Sequence, residues 1–170
     1  MTASDALVAD TATEADAPAI AAIRTAAAVR LTERFGRGHW SSPSSEKQAL
    51  RSMRNGHVIV ARNGTVLLGS LTLVTKKPWA IDPSFYVAVK RPLYLIDMTV
   101  DPFAQGQGIG RFLLEAADRA ARAWPAQAIW LDAYDAPSGA GPFYLKCGYR
   151  EVGRKEYRGV PLVYYEKLLT

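Results

Sequence analysis

The stretch Val100–Arg111 reads VDPFAQGQGIGR and lies between two apolar segments of different periodicity. The run Leu93–Val100 before it is almost wholly apolar, as in a buried strand, whereas the apolar residues after it recur at helical spacing. Glycines in the connecting turn would let backbone N–H groups approach oxygen atoms with no Cβ in the way. The first N–H groups of a helix have no internal partner and carry the positive end of its dipole. The stretch therefore predicts a site for an anionic, phosphate-bearing ligand.

The spacing of the glycines separates three kinds of phosphate-binding loop. A Walker loop needs Lys and then Ser or Thr after its last glycine, but Arg111 and Phe112 follow Gly110. A dinucleotide loop needs its third glycine where Arg111 stands, and no acidic residue ends a second strand at the usual distance. The pattern that remains is Gln-x-x-Gly-x-Gly, formed by Gln105, Gly108 and Gly110. A glycine-rich turn that binds nothing is the alternative on the loop alone.

This loop resembles the pyrophosphate loop of the GNAT family of N-acetyltransferases, whose pattern is Arg/Gln-x-x-Gly-x-Gly/Ala. A second segment, residues 140–149 (AGPFYLKCGY), resembles that family's Ala-x-x-x-Tyr-x-Lys-x-Gly-aromatic pattern. The family asparagine that precedes this pattern is absent, because Pro137 stands in its place and Asp135 is the nearest polar residue. Two segments in the right order and spacing identify the chain as a member of the family more firmly than either alone.

The order of the predicted elements extends the resemblance over about the whole chain. Periodicity and the positions of Gly and Pro predict β-α-α-β-β-β-α-β-α-β-β, with a first helix over 14–30 and an extended stretch over 84–89. The resemblance implies an α/β (α+β) acyl-CoA N-acyltransferase fold, with a mixed central sheet of six to seven strands and about four helices. The sheet would be splayed between the strand ending at Val100 and the strand ending at Tyr134. A helix over 110–124 should face inward with Phe112, Leu113, Ala116, Ala117 and Ala120.

Composition and charge narrow the class of protein. With 170 residues, 49% hydrophobic and 22% charged, the chain fits one soluble domain, 1–170. The single cysteine, Cys147, excludes an internal disulfide framework, and no apolar run approaches the ~20 residues of a membrane span, so we predict a cytoplasmic protein. The net charge of +5 is dispersed, so neither nucleic acid nor membrane is expected as a partner. Two histidines and one cysteine give no metal-site spacing.

The resemblance implies acetyl-CoA (coenzyme A) as the cofactor. The loop would hold the pyrophosphate, and the splayed end of the preceding strand would pair with the pantetheine arm. A backbone N–H near that strand end could also polarise the thioester carbonyl. The predicted cofactor-binding residues are Met98, Thr99, Val100, Gln105, Gly106, Gln107, Gly108, Ile109, Gly110, Arg111, Asp135, Tyr144 and Lys146.

Acetyl transfer to an amine needs an acid for the leaving thiolate and a base for the acceptor ammonium. Tyr144 stands at the family's acid position, and a packed core aromatic is its alternative interpretation. Asp97 interrupts an apolar strand, where a buried carboxylate would need a partner or a task. It is a candidate base, although strand parity places it opposite Met98 and Val100 and a structural hydrogen bond would also explain it. Tyr94, which shares the parity of Met98, is the second candidate base, where some relatives carry a catalytic glutamate.

The resemblance implies that the acceptor side is formed by the first helix pair, the loop before the central strand and the last hairpin. Aromatic residues in these segments suggest an apolar or flat acceptor, with a cation–π contact to its amine. We expect a primary amine of a small molecule or peptide as the acceptor, and a homodimer, as for many members of the family. A non-catalytic acyl-CoA-binding or regulatory module is the alternative function. The predicted pocket residues are Phe35, Trp40, Trp79, Phe85, Tyr86, Tyr134 and Tyr157.

Overall fold

The computed structural model describes residues 6–170, and its elements follow the order predicted from the sequence. Its strands lie in one mixed sheet in the order β1-β2-β3-β4-β5-β7-β6, which confirms the predicted fold class. Within the described range, none of the helices combines the length and the apolar composition that crossing a membrane demands. The strands are β1 (Leu7–Thr11), β2 (His57–Asn63), β3 (Val66–Val74), β4 (Pro92–Val100), β5 (Ala128–Tyr134), β6 (Arg150–Tyr157) and β7 (Val160–Leu168). The helices are α1 (Ala17–Phe35), α2 (Glu46–Asn55), α3 (Ile109–Ala123) and α4 (Gly141–Lys146).

The chain divides into two compact units, each built from two separate segments. The first unit comprises the described residues up to Thr72 together with Asp97–Ala117. The second unit comprises Leu73–Ile96 and Asp118–Thr170. The boundaries fall inside β3, β4 and α3 rather than in linkers. The single domain expected from the chain length stays a prediction.

The first unit packs α1 and α2 against strands of the sheet. β1 pairs antiparallel with β2, from Leu7 opposite Asn63 to Thr11 opposite Ile59. α2 begins with a capping box in which the Ser45 hydroxyl accepts from the Gln48 N–H at 3.2 Å. The buried apolar cluster of this unit contains Ala17, Ile20, Ile23, Ala49, Val58, Val60 and Leu67.

Two predictions about helices of the first unit are wrong in detail. α1 continues beyond residue 30 to Phe35, because its C-terminal glycine is Gly36, with a φ of +80°. α3 begins one residue earlier than predicted, at Ile109, and its predicted inward face is right for Leu113, Ala116 and Ala117 but not for two other residues. Phe112 and Ala120 are half-buried, whereas Ile109, Leu114 and Ala121 are buried.

The second unit joins β5, β7 and β6 in antiparallel order. β5 pairs with β7 from Ala128 opposite Leu168 to Tyr134 opposite Leu162. The irregular segment 75–91 packs on one face, where the Tyr164 hydroxyl donates to the Ala80 carbonyl oxygen and the Val87 N–H donates to the buried Glu166 carboxylate. The stretch predicted to be extended, 84–89, instead includes a single 3-10 turn, Pro83–Phe85, and no strand.

β4 pairs in parallel with β5 only near the start of both strands. The register joins Pro92–Tyr94 to Ala128–Trp130. Beyond this ladder, β4 continues to Val100 and β5 to Tyr134. The predicted splay between the ends of these strands stays a prediction. A strand end beyond its ladder can offer backbone hydrogen-bonding groups to a ligand.

Candidate cofactor-binding and catalytic site

The loop that follows β4 is anchored at both ends. The Asp101 N–H donates to the Leu68 carbonyl oxygen at 2.8 Å. The Asp101 carboxylate accepts from the Phe103 N–H at 2.9 Å and thereby caps a short 3-10 helix, Pro102–Ala104. At the other end, the first residue of α3, Ile109, is 3% exposed. The residues between these anchors are consequently held in a defined path.

Two glycines of this loop adopt a backbone conformation that other residues rarely take. Gly106 has a φ of +79° and Gly108 a φ of +81°. A Cβ added to either would meet no atom within 4 Å, so both border open space. Gln105, Gln107 and Arg111 beside them have exposed side chains. The loop and the first turn of α3 therefore present backbone N–H groups next to space that a phosphate can enter, which fits the predicted pyrophosphate site.

The end of β4 is half-buried and closely approached by β3. Met98, Thr99 and Val100 are all partly exposed. Gly69 of β3 lies so near that an added Cβ would sit 2.9 Å from the Thr99 carbonyl oxygen. Gly69 was not predicted to lie near the site, although an isolated glycine inside a strand indicates such an approach.

Asp97 differs from its sequence-based expectation in two ways. We expected a buried carboxylate on a regular strand, but the side chain is 49% exposed, so that expectation is wrong. Its φ is +53°, in the left-handed region, so the strand alternation is interrupted and parity with Met98 no longer assigns its face. Its Oδ2 atom lies 3.9 Å from Nη2 of Arg24 on α1. Its role as a base stays a prediction.

Tyr144 lies on the short helix α4 and is 6% exposed. Its ring meets the rings of Tyr149 and Tyr165 at centroid distances of 5.7 and 6.0 Å. Burial first, and then the negative charge of Asp132, raise the pKa of Tyr144. The hydroxyl is therefore protonated at neutral pH, as a proton donor must be. Lys146, at the end of the same helix, is exposed.

Asp135 follows β5 and is engaged by ion pairs of the second unit. Its carboxylate accepts from Arg154 Nη1 at 3.0 Å, and Arg154 Nε donates to Glu151 at 2.7 Å. Its N–H donates to the Pro161 carbonyl oxygen at 2.9 Å. A cavity of about 420 Å³ borders these groups and the turn that leads into α4. The side chain predicted to contact the cofactor is thus held by β6 instead of projecting freely.

Tyr94 is a member of the aromatic core of the second unit. It is 6% exposed, and its ring lies edge-on to Trp130 at a centroid distance of 5.7 Å. Burial raises the pKa of Tyr94. The phenolate form that a base would need is consequently scarce at neutral pH.

Asp132 of β5 is a candidate that the sequence analysis missed. It is half-buried and stands in register with Tyr164 of β7. The hydroxyls of Tyr86 and Tyr164 both donate to backbone carbonyl oxygens rather than to this carboxylate. Burial raises the pKa of Asp132. The signal was present, because Asp132 is the one charged residue of Ala128–Tyr134, just as Asp97 is in its own strand.

The aromatic residues predicted for the acceptor pocket fall into two groups. Tyr86 belongs to the core, since it is 6% exposed and stacks on Trp130 at 4.4 Å between ring centroids. Trp79 is 81% exposed. The others are half-buried: Phe35 and Trp40 in the first unit, and Phe85, Tyr134 and Tyr157 in the second.

Comparison with known protein families identifies the family to which the chain belongs. Residues 19–149 match the family model described as Acetyltransferase (GNAT) family, a range that includes the glycine loop and α4. The chain belongs to this family. GNAT members use acetyl-CoA, so the protein is an acetyl-CoA-dependent acyltransferase rather than a non-catalytic module. No curated protein matches the chain in sequence.

Solved GNAT structures share the fold over nearly the whole chain. An N-acetyltransferase from Staphylococcus aureus Mu50 superposes with a TM-score of 0.71 at 20% identity, covering 97% of this chain and 99% of that one. The ribosomal-protein-alanine N-acetyltransferase of Brucella melitensis gives 0.72 at 20% identity, covering 95% and 99%. The Salmonella typhimurium protein yncA, solved with its cofactor acetyl-CoA, gives 0.70 at 19% identity, covering 97% and 95%.

Proposed function

We propose that this GNAT protein transfers the acetyl group of acetyl-CoA to a primary amine of a small molecule or peptide. The observation that carries the proposal is the loop before α3, in which Gly106 and Gly108 are left-handed and border open space. Such a loop suits a pyrophosphate. The similar structures named for their acceptors, a ribosomal-protein-alanine N-acetyltransferase and an aminoglycoside 6′-acetyltransferase, support an amine as the acceptor.

Two groups of the second unit would move the protons of the reaction. Bound acetyl-CoA supplies the thioester carbonyl carbon that the amine attacks, and the carbon–sulfur bond breaks. The Tyr144 hydroxyl gives its proton to the departing sulfur, and a carboxylate takes the proton that the acceptor nitrogen loses. Because the Asp132 charge raises the pKa of Tyr144, an ionised Asp132 keeps the acid loaded with its proton.

For the base we favour Asp132 over Tyr94. Tyr94 is packed edge-on against Trp130, and burial raises its pKa, which makes it a poor proton acceptor near neutral pH. Burial also raises the pKa of Asp132, but for a carboxylate this brings the pKa towards the pH at which the enzyme works. Asp97 is half exposed and lies 3.9 Å from Arg24, and these surroundings suit the binding of a cation rather than proton transfer.

Ligand-dependent stability and product formation test this function. Acetyl-CoA at a hundred times its Kd should stabilise the protein by roughly 2.7 kcal/mol, whereas NAD and ATP should not. Thiol release should then depend on adding a member of a panel of primary amines. Stabilisation by NAD, or release that no amine accelerates, would count against the proposal. The cytoplasmic location and the homodimer stay predictions.

A further inference from the structure

Arg24 of α1 carries a guanidinium that is nearly buried and incompletely paired. Its side chain is 11% exposed, and Nη1 donates to the Ser52 hydroxyl at 3.3 Å. Nε and Nη2 are buried and make no hydrogen bond within the part of the chain that the structure describes. Burying a cation without partners is costly, so a negative charge is needed close by.

Asp97 provides a carboxylate close to these nitrogens, but it makes no hydrogen bond with them. Its Oδ2 lies 3.9 Å from Arg24 Nη2, beyond hydrogen-bonding distance, and half of the side chain is in contact with solvent. The left-handed backbone at Asp97 costs energy, and residues held in such conformations concentrate at functional sites. The backbone conformation of Asp97 and the charge of Arg24 thus orient the Asp97 carboxylate. Its oxygens can still accept hydrogen bonds from another donor.

We propose that Asp97 binds the cationic group of the acceptor and that Arg24 is the positioning residue that holds the Asp97 carboxylate for this purpose. The inference rests on the proposed acetyltransferase function and adds the acceptor class, an amine that is protonated in solution. The carboxylate accepts N–H bonds from the bound ammonium on the side that faces solvent. The competing explanation is a structural ion pair between α1 and β4.

Kinetics of the full-length enzyme with acetyl-CoA and an accepted amine distinguish these explanations. Asp97→Asn retains a residue type that tolerates positive φ and removes only the charge. We expect it to raise the acceptor KM about tenfold or more, as for a lost charge-assisted hydrogen bond, while the acetyl-CoA KM changes less than about twofold. Asp97→Gly, which relieves the backbone, should show the same loss.

A matched control and a matched substrate pair sharpen the test. Asp10→Asn removes another 49% exposed carboxylate, paired with Arg62 at 3.2 Å in the same unit, and should leave both KM values unchanged. Wild type should prefer 2-phenylethylamine, which is cationic at neutral pH, over its uncharged isomer 4-ethylaniline, and Asp97→Asn should lose this preference.

Arg24 should act through Asp97 rather than independently. Arg24→Met should raise the acceptor KM, and Arg24→Met combined with Asp97→Asn should be no worse than Asp97→Asn alone. An unchanged acceptor KM in Asp97→Asn, with stability lowered, would overturn the inference and leave a structural ion pair. Failure of wild type to acetylate any amine would instead remove the proposed function, and this inference with it.

Discussion

In the proposed reaction, the Tyr144 hydroxyl gives its proton to the departing sulfur. Tyr144→Phe removes that proton and keeps the ring packing against Tyr149 and Tyr165. We expect kcat to fall about 100-fold, within the usual range for a lost general acid, and the acetyl-CoA KM to change little. Steady-state kinetics measure both constants.

A neighbouring tyrosine provides the control for Tyr144. Tyr149 is 3% exposed, and its hydroxyl is buried with no hydrogen bond to any residue within 6–170. Tyr149→Phe should therefore leave kcat unchanged and cost no stability, since it removes a polar atom without a partner. Equal losses of kcat in the two variants would contradict the assignment of the acid to Tyr144.

The buried charge of Asp132, the proposed base, should destabilise the folded state. Burial raises its folded-state pKa above the unfolded value, near 3.9, so the folded state loses stability as the pH rises from the unfolded pKa through the folded-state pKa. Asp132→Asn has no charge to bury, so it should melt at a higher temperature than wild type at pH 7, with the gap closing towards pH 3. Its kcat/KM should fall about 100-fold. A stabilised variant with full activity would leave Asp132 without a proton-transfer role.

Asp97 and Asp132 show which property of a single residue could not be predicted from the sequence. Each is the one charged residue of an apolar strand, so the pattern flags both positions equally. Whether either is buried depends on the local backbone, and the φ of +53° at Asp97 breaks the alternation on which the pattern relies. The exposure of the Asp97 side chain, and hence the groups that it can bind, depends on a φ angle that the spacing of residues in the sequence does not reveal.

Among the elements, the loop before α3 gives the most direct test of acetyl-CoA binding. Gly108→Ala should strain the left-handed backbone by about 1 kcal/mol and intrude on the cofactor space, raising the acetyl-CoA KM. Gly159→Ala, in the turn between β6 and β7, has the same sign of φ (+80°) and the same open surroundings. It should show a similar loss of stability with an unchanged acetyl-CoA KM. If the two variants had the same acetyl-CoA KM, the result would contradict the binding of acetyl-CoA by this loop.

Element order was predictable because each boundary carries its own chemical signal. Asn63-Gly64 marks the turn between β2 and β3, Pro125 separates α3 from β5, and apolar periodicity distinguishes helices from strands. The inward face of α3 was predicted in part: Leu113, Ala116 and Ala117 are buried, whereas Phe112 and Ala120 are half-buried, because burial also depends on the elements that pack on the helix. The segment 75–91 has no periodicity, and its path follows from hydrogen bonds to distant residues such as Glu166.

At the scale of the molecule, the two compact units should unfold together. The unit boundaries fall between Thr72 and Leu73 in β3, between Ile96 and Asp97 in β4, and after Ala117 in α3. Neither unit can therefore unfold alone without breaking three elements in the middle. We expect a single cooperative transition in urea, as is usual for domains of this size.

Two spectroscopic signals follow the two units separately. Trp40 is the one tryptophan of the first unit, so in Trp40→Phe the fluorescence reports on Trp79, Trp124 and Trp130 of the second unit. Helical far-UV circular dichroism reports mainly on the first unit, which contains α1, α2 and the part of α3 up to Ala117. Coincident midpoints and slopes for both signals would support one domain, because shared strands transmit the loss of either unit to the other. Two midpoints, with acetyl-CoA shifting only one of them, would instead show that β3, β4 and α3 can be divided at these boundaries and that the chain contains two domains.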